Sequence, residues 1–468
     1  MFWRYAAIVL IAVLSGCAST GDWSSDTPAQ GGARGSKAKR VNLQSQSVSD
    51  LYAPSSNLWI RIRDGFEMEP MNTPLEIEQI RWLSARPDYV NRSMTRSSRY
   101  LFYIVQEVNA RNMPTEIALL PFVESAFNPL AKSGAKAMGI WQFMPATGKD
   151  FRLTQNVFRD ERRDVIQSTD AALDYLQRLQ KQFGSWELAL AAYNWGAGNV
   201  AKAQKRNLAQ GLPTDYQSLT MPAETRNYVP KLMAYRQIVL DPQAYGIILP
   251  NLENHPYFVA VDVGNDIDVA LVIKLSEIPT EEFHNLNPSF NKPVILSNAN
   301  QQILLPFAHA EIFQTNLKKY TKPLSTWSAV EVLKTESVDQ TAKTLGVDAD
   351  GLREVNGIPK GMRIRAGSTV LVPKTSRRPG DISVAMAENA SLSLEKPLPP
   401  VPKKCAKGAK CPVSKSPRGV SKGNSSANTA TSQHKSASTG LAKSAKNSTA
   451  KTSGGTVKAV SSKGVSKI

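Results

Sequence analysis

The sequence is poor in the residues that build disulfide frameworks, metal sites and catalytic triads. Its 468 residues include only three cysteines and four histidines. No cysteine lies in the apolar, patterned part of the chain, which excludes a disulfide framework or a zinc ribbon in the folded domains. The histidines are scattered without the spacing of metal ligands, so we expect no metal site, no cofactor and no Ser-His-Asp triad.

The N-terminal apolar segment is short. Residues 6–14 make up about half of the ~20 residues that a transmembrane helix needs, and they follow Arg4. Residues 1–17 are therefore predicted to be an export signal. Its ending, Leu-Ser-Gly-Cys17, resembles a bacterial lipoprotein signal; the alternative is an ordinary cleaved signal with an incidental Cys17. The resemblance implies lipidation of Cys17 and, with Ala18 next, attachment to the outer membrane of a Gram-negative bacterium, facing the periplasm.

Acidic residues are scarce in the last part of the chain. Residues 376–468 hold 17 Lys and Arg against three acids, so they carry +14 of the net charge of +18. This Ser-, Ala- and Lys-rich segment is predicted to be disordered. It is either a solvated spacer or a segment attracted to anionic surface polymers. Its position behind an export signal argues against a nucleic-acid partner. Cys405 and Cys411 either pair or remain free thiols.

The apolar pattern predicts mostly helices before residue 245. Residues 18–50 read as a flexible linker. From residue 51 the spacing becomes helical, and we expect a helical extension over 51–112 and a helical domain over 113–245. Within that domain Pro121 should kink or restart a helix, and Ser185 should cap a helix over residues 186–193. A single helix should run from about Pro222 to Val239.

One acid stands inside an apolar run. Glu124 follows Leu119-Leu120-Pro121-Phe122-Val123. A carboxylate is costly to keep ionised in such surroundings, so it is usually paired, or protonated with a raised pKa. A carboxyl group that stays protonated near neutral pH is what a general acid requires. On this run alone, a structural glutamate that caps a helix or pairs with an arginine is an equally good interpretation.

Four short segments occur in a fixed order: ESAFNP (124–129), GIWQFM (139–144), AYNWGAG (192–198) and ETRNYVPK (224–231). Together they resemble the lysozyme-like catalytic domain, of goose type or SLT type, of the lytic transglycosylases. The resemblance implies cleavage of the β-1,4 bond between N-acetylmuramic acid and N-acetylglucosamine in peptidoglycan. It also implies that no water is used and that a 1,6-anhydromuramoyl end is left.

The resemblance also implies site residues. Glu124 would protonate the glycosidic oxygen and then accept the proton of the muramoyl C6 hydroxyl. No aspartate in the four segments stands where a two-carboxylate glycosidase needs its second acid. Tyr228 would orient Glu124, with Glu224 in the same network, and Ser133 and Gln142 would bind sugar hydroxyl and acetamido groups. The residues implied to line the groove are Ser133, Gln142, Met144, Tyr193, Asn194, Glu224 and Tyr228.

Two further features near the site have other interpretations. Trp195 stands where relatives often have a small residue, and it is either a sugar-stacking face or a surface plug. The charged run 160–164, which contains Glu161 and Asp164, is interpreted as a structural ion-pair cluster.

The second half contains a repeat. Residues 256–306 and 327–373 each read as a strand, two short helices and a strand, which is too little chain for a large core and is typical of binding modules. The second copy, within 325–375, resembles a LysM domain, which implies binding of N-acetylglucosamine-containing glycan. The first copy, within 256–320, matches less well. We expect it to be a degenerate module that packs on the catalytic domain, and its glycan binding stays open.

The sequence therefore predicts a mainly α protein. A lysozyme-like catalytic domain would be followed by small α+β (βααβ) LysM-type modules and a disordered basic tail. A muramidase-type hydrolase on the same fold is the first alternative, and product chemistry separates the two. An inactive peptidoglycan-binding protein is the second, and the intact segments around Glu124 argue against it.

Overall fold

A computed structural model describes residues 57–297, 302–376 and 380–396 of the chain. The predictions for Cys17, for the 18–50 linker, for Cys405 and Cys411 and for the tail beyond residue 396 lie outside these residues. Within the described ranges, no helix is long and apolar enough to cross a bilayer.

The described chain begins with helices that lead up to the Glu124 segment. They are α1 (Leu58–Asp64), α2 (Pro74–Ser84), α3 (Pro87–Ser97) and α4 (Leu101–Ala110). The Thr73 side chain caps α2 by accepting a hydrogen bond from the Glu76 amide, and Pro74 occupies the first turn, where a missing N–H costs nothing. The helical spacing predicted for this part of the sequence is confirmed.

The Glu124 segment has two parts. A 3₁₀ turn, Thr115–Leu119, runs directly into α5, Leu120–Ser125. Pro121 lies in the first turn of α5, because a proline is tolerated there and not deeper in a helix. The prediction that a helix restarts at this proline is confirmed.

The catalytic region continues as helices. They are α6 (Pro145–Asp150), α7 (Val165–Phe183), α8 (Trp186–Trp195), α9 (Ala197–Leu208), α10 (Ala223–Arg226) and α11 (Tyr228–Leu240), followed by a 3₁₀ turn over Gln243–Tyr245. Ser185 caps α8 as predicted. The prediction of one helix from Pro222 to Val239 is wrong. The chain breaks at Asn227, whose side chain donates to the Ala223 carbonyl (2.8 Å). Pro230 cannot continue α10, because it has no N–H for the Arg226 carbonyl, and it lies instead in the first turn of α11.

The core lies around α11. This helix is buried along most of its length, and Leu232, Met233 and Ile238 have no exposed surface. It packs against α2, α5 and α8. A helix that is apolar over most of its surface belongs near the middle of a domain, and here it brings its first residue, Tyr228, next to α5.

The first module is a strand–helix–helix–strand unit. Strand β1 (Phe258–Asp262) pairs antiparallel with β4 (Gln302–Pro306), with Val259 opposite Leu305. Between them lie β2 (Ile267–Asp268), α12 (Val269–Ser276), α13 (Thr280–Leu286) and β3 (Val294–Ile295), and α14 (Phe307–Lys319) follows.

The second module repeats the pattern. Strand β5 (Trp327–Val332) pairs antiparallel with β8 (Ser368–Pro373), with Val330 opposite Val370. Between them lie β6 (Glu336–Ser337), α15 (Val338–Leu345), α16 (Ala349–Asn356) and β7 (Arg363–Ile364). The βααβ pattern predicted for both copies is confirmed.

The first module packs on the predicted catalytic domain, as expected: Ser289 Oγ donates to Asp164 Oδ2 (3.2 Å). It also packs on the helical extension, where Arg99 Nε and Nη2 donate to Glu282 Oε1 (2.9 Å) and Oε2 (2.7 Å) of α13. The Tyr100 hydroxyl donates to the Asn285 carbonyl (2.8 Å). The buried side chains of the two parts form one continuous hydrophobic core. The exact domain boundaries placed along the sequence stay predictions.

The predicted disorder from residue 376 is wrong for residues 380–396. This segment forms α17 (Val384–Asn389) and β9 (Leu394–Glu395), and β9 pairs antiparallel with β7. The side chains of Ile382, Ala387 and Ala390 are buried. These few apolar residues pack into the fold and order the segment. The prediction missed them because the surrounding sequence has low complexity.

Candidate active site

Glu124 is the penultimate residue of α5. The two residues after the helix, Ala126 and Phe127, both have left-handed backbone conformations (φ 50° and 54°), so the chain turns sharply as the helix ends. Phe127 is fully buried and packs edge-on against Phe122, with ring centroids 4.5 Å apart. These rings fix the end of α5, and with it the position of the Glu124 carboxyl group.

Tyr228 binds the Glu124 carboxyl group. Its hydroxyl donates a short hydrogen bond to Glu124 Oε1. The break at Asn227 makes Tyr228 the first residue of α11, and its side chain is buried. The contact that the family resemblance implied for Tyr228 is present, although its catalytic role stays a prediction.

The environment of Glu124 favours the protonated form. Burial raises its pKa to about 7, and the nearby charge of Glu224 acts in the same direction, whereas the Tyr228 hydrogen bond and the charge of Lys231 oppose the rise. Burial also raises the pKa of Tyr228 far above its usual range, so this side chain remains a hydrogen-bond donor. A carboxyl group with a pKa near neutrality can both give and take a proton.

A tight loop over residues 131–144 lies beside α5, and the Ser125 hydroxyl joins the two by donating to the Ile140 carbonyl (3.0 Å). Ser133 Oγ accepts from the Ala137 amide (3.0 Å). Gln142 Nε2 donates to the Gly139 carbonyl (2.8 Å). In this state, therefore, both predicted sugar-binding side chains bond to the loop itself and define its shape.

Arg162 supports this loop from beneath. Its Nη1 donates to the carbonyls of Lys136 (2.8 Å) and Phe143 (3.3 Å). Gly139 has φ +78°, and a Cβ there would lie 2.2 Å from the Arg162 carbonyl oxygen. Only glycine fits so close an approach. The sequence analysis did not identify Arg162 as part of the site, since its only signal was membership of the charged run.

The charged run is an ion-pair cluster in part. Asp160 pairs with Arg162 (2.7 Å), and Glu161 pairs with Arg159 (3.2 Å). The interpretation is wrong for Asp164, which caps α7 by accepting from two amides of its first turn (3.1 and 3.0 Å). Aspartate is a preferred capping residue, so the start of a helix explains its place.

The end of α8 contributes the next two predicted residues. The Tyr193 hydroxyl donates to the Trp141 carbonyl (2.9 Å). Burial raises the pKa of Tyr193 well above its usual range, and the charge of Glu124 adds to that rise. Asn194 Oδ1 accepts from Thr225 Oγ1 (2.8 Å), and Asn194 Nδ2 lies 3.5 Å from Glu224 Oε1. Thr225, which the sequence analysis missed, thus joins α8 to α10.

The remaining predicted residues lie at the surface of the same region. Met144 is the last residue of the loop and is 41% exposed. Trp195 is partly buried and packs against the hydrophobic core. No cluster of three or more His, Cys, Asp or Glu side chains suited to a metal occurs in the described ranges.

The comparisons with known proteins agree with this arrangement. The chain is 33% identical over 383 residues to membrane-bound lytic murein transglycosylase D of Escherichia coli (strain K12), an alignment that covers 78% of this chain and 84% of that protein. The chain belongs to the lytic murein transglycosylase family.

Two family models match separate parts of this transglycosylase. The transglycosylase SLT domain matches residues 103–212, which include Glu124 and the end of α8. The LysM-like domain of lytic transglycosylase MltD matches residues 257–322, which include the first module. The predicted lysozyme-like fold and the LysM-type character of the first module are therefore confirmed.

Other similarities are more limited. Membrane-bound lytic murein transglycosylase F of Desulfosudis oleivorans is 32% identical over 111 residues, which is 22% of this transglycosylase and 23% of that protein. The crystal structure of the 70 kDa soluble lytic transglycosylase of Escherichia coli aligns with 39% of this chain and 33% of that chain, at 20% identity and a TM-score of 0.25. That structural similarity is too slight to bear on the fold.

Proposed function

We propose that this transglycosylase cleaves the β-1,4 bond between N-acetylmuramic acid and N-acetylglucosamine in peptidoglycan, with Glu124 as its single acid and base. The observation that carries the proposal is the state of Glu124. It is a carboxyl group held by the Tyr228 hydroxyl, with burial raising its pKa to about 7. Such a group is protonated often enough to act as an acid and ionised readily enough to act as a base.

The reaction has two steps that balance in protons. In the first, protonated Glu124 gives its proton to the glycosidic oxygen, and the bond from that oxygen to the muramoyl C1 breaks. In the second, ionised Glu124 takes the proton of the C6 hydroxyl while O6 forms a bond to C1. The substrate's N-acetyl group stabilises the positive charge between the steps. Glu124 ends protonated, ready for another cycle, and no water is consumed.

The surrounding residues position the substrate and the acid. Tyr228 orients the Glu124 carboxyl group, and Glu224 raises the pKa of that group through its charge. Ser133 and Gln142 present hydrogen-bonding groups on the loop that Arg162 supports. The remaining residues that we propose to line the groove are Met144, Tyr193 and Asn194.

We propose that peptidoglycan is the partner of the catalytic domain and of the second module. The second module, residues 325–375, binds N-acetylglucosamine-containing glycan, and the first module, residues 256–320, fixes the catalytic domain (113–245) and its helical extension (51–112) in place. Support for this division comes from the ion pair and the continuous core that join the first module to the catalytic region.

The protein works in the envelope of a Gram-negative bacterium. The membrane-bound character of the relative from Escherichia coli supports this location. We further propose that lipidated Cys17 attaches the chain to the outer membrane, and that the basic residues beyond 396 attract anionic surface polymers. Mass measurement of the N-terminal peptide would test the lipid attachment.

The test of activity is mass spectrometry of fragments released from purified peptidoglycan by the chain from Ala18 onward. Fragments lighter by one water than hydrolysed ones would support the anhydro product. The Glu124→Gln variant should lose at least about 100-fold in rate, because general acid–base catalysis contributes that much. Glu187→Gln, on the neighbouring α8, is the matched control and should keep its rate.

Other products would decide between the alternatives. Reducing ends would indicate a muramidase-type hydrolase and make Glu224 the first candidate for a second carboxylate. Failure to release fragments, with the protein still sedimenting with peptidoglycan, would indicate an inactive binding protein.

A further inference from the structure

A rigid aromatic cluster lies on the surface of α2 and α3. The indole ring of Trp82 is 42% exposed. The Tyr89 ring packs edge-on against it, with centroids 5.5 Å apart and an interplanar angle of 81°. The Arg86 guanidinium lies over the Trp82 ring, 4.3 Å from the ring centroid, and Arg86 Nη1 donates to the Trp82 carbonyl (3.0 Å). We call Trp82, Arg86 and Tyr89 the Trp82 platform.

The platform has the properties of a binding surface. Two aromatic rings and a guanidinium are grouped here, and the Trp82 ring is exposed enough for a ligand to reach it. Trp, Tyr and Arg are the residues that most often dominate binding energies. Since Tyr89 and Arg86 already hold the indole in one orientation, a ligand that packs on the ring needs to order little of the protein.

Hydrogen bonds connect the two helices that carry the platform, α2 and α3, to the candidate active site. On α2, Gln79 lies about one turn before Trp82, and its Nε2 donates to Asn227 Oδ1 (3.3 Å), directly before Tyr228. On α3, Arg96 lies about two turns after Tyr89, and its Nη1 donates to the Ala126 carbonyl (3.4 Å). The two helices that carry the platform thus contact the residues on either side of the Glu124–Tyr228 pair.

We propose that the Trp82 platform is a remote subsite that binds a sugar ring of the same glycan strand, outside the sugars at the scissile bond. The inference rests on the proposed function. The helix that carries Trp82 contacts Asn227, directly before Tyr228, so an extended strand bound beside Tyr228 can reach the platform. The apolar face of a pyranose ring packs well on an indole. The platform therefore favours long strands over short fragments.

The experiment compares substrates of two lengths. Peptide-free glycan strands and a tetrasaccharide cut from them are digested by the wild-type chain and by Trp82→Ala. Ile77→Ala is the matched control, because Ile77 lies on the same helix with 45% exposure. Trp82→Ala should lower kcat/KM on long strands about tenfold and leave the tetrasaccharide unchanged. Trp82→Phe should restore most of the loss.

Several results would overturn the inference. Equal rates for Trp82→Ala and Ile77→Ala on both substrates would remove the subsite. An equal loss on both lengths would place Trp82 in the cleavage site or the fold. A loss seen only with peptide-bearing strands would indicate a peptide site. If the wild-type chain makes no anhydro product, the proposed function fails by itself, and sedimentation of each variant with long strands still tests the platform.

Discussion

The raised pKa of Glu124 has a consequence for stability that can be measured without substrate. A group whose pKa is higher in the folded state than in the unfolded chain binds its proton more tightly when folded. Raising the pH through the interval between the two pKa values therefore destabilises the fold. Glu124→Gln removes the titration and keeps the size and the acceptor oxygen of the side chain. The variant should be more stable than the wild type at high pH.

The magnitude follows from the two pKa values. A rise from the ordinary 4.5 to about 7 corresponds to about 3 kcal/mol, since one pKa unit is worth about 1.36 kcal/mol. Below pH 4.5 both side chains are neutral, so the two proteins should have nearly equal free energies of unfolding. The difference should grow between pH 4.5 and 7 and remain constant above pH 7.

Thermal unfolding followed by circular dichroism at pH 4.5 and pH 8 is a suitable assay. A gain of about 3 kcal/mol should raise Tm by roughly 3–6 °C at pH 8 for a folded part of this size. Glu78→Gln, which removes an exposed carboxyl group on α2, should give no such gain. Equal Tm values for wild type and Glu124→Gln at pH 8 would refute the raised pKa and, with it, the proposed source of the proton for catalysis.

Two further predictions concern the supports of the site, and a third concerns the segment 380–396. Tyr228→Phe removes the hydrogen bond that lowers the pKa of Glu124; the alkaline limb of the pH–rate profile should move to higher pH, and an unmoved limb would contradict the contact. Gly139→Ala places a Cβ against the Arg162 carbonyl and should cost at least about 2 kcal/mol in chemical denaturation. Ending the chain at residue 376 instead of 396 removes the buried side chains of 380–396 and the pairing of β9 with β7, so it should lower Tm. An unchanged Tm would show that this segment does not stabilise the fold.

Local signals in the sequence were sufficient for most elements. Pro121 restarts a helix because a proline is accommodated only in a first turn. Ser185 caps α8 because its hydroxyl accepts from an amide three residues later. The repeated strand–helix–helix–strand pattern could be predicted because the paired strands of each module lie close together in the sequence.

The supports of the site could not be predicted, because they depend on contacts between distant segments. Arg162 donates to backbone carbonyls 26 and 19 residues away. Every residue has such a carbonyl, so the sequence does not show which one an arginine will bind. Thr225 meets Asn194 across 31 residues. The break at Asn227 was missed because the apolar pattern continues through it. Pro230 has no N–H to donate to the Arg226 carbonyl, which accepts a hydrogen bond from the Tyr216 hydroxyl (3.0 Å) instead.

The interpretation of Glu124 as a structural glutamate fits a different residue. Glu116, eight residues earlier in the sequence, is fully buried and accepts from the amides of Glu67 (3.1 Å) and Met68 (3.0 Å) and from Arg236 Nε (3.0 Å). Burial raises the pKa of Glu116, and these three donors oppose that rise. At Glu124, burial raises the pKa to about 7, and the rise is opposed by one hydrogen bond from the neutral Tyr228 hydroxyl and by the charge of Lys231. The two glutamates therefore differ in their donors. Two amides and a guanidinium bind Glu116, which suits a structural carboxylate, whereas the single neutral donor of Glu124 suits acid chemistry.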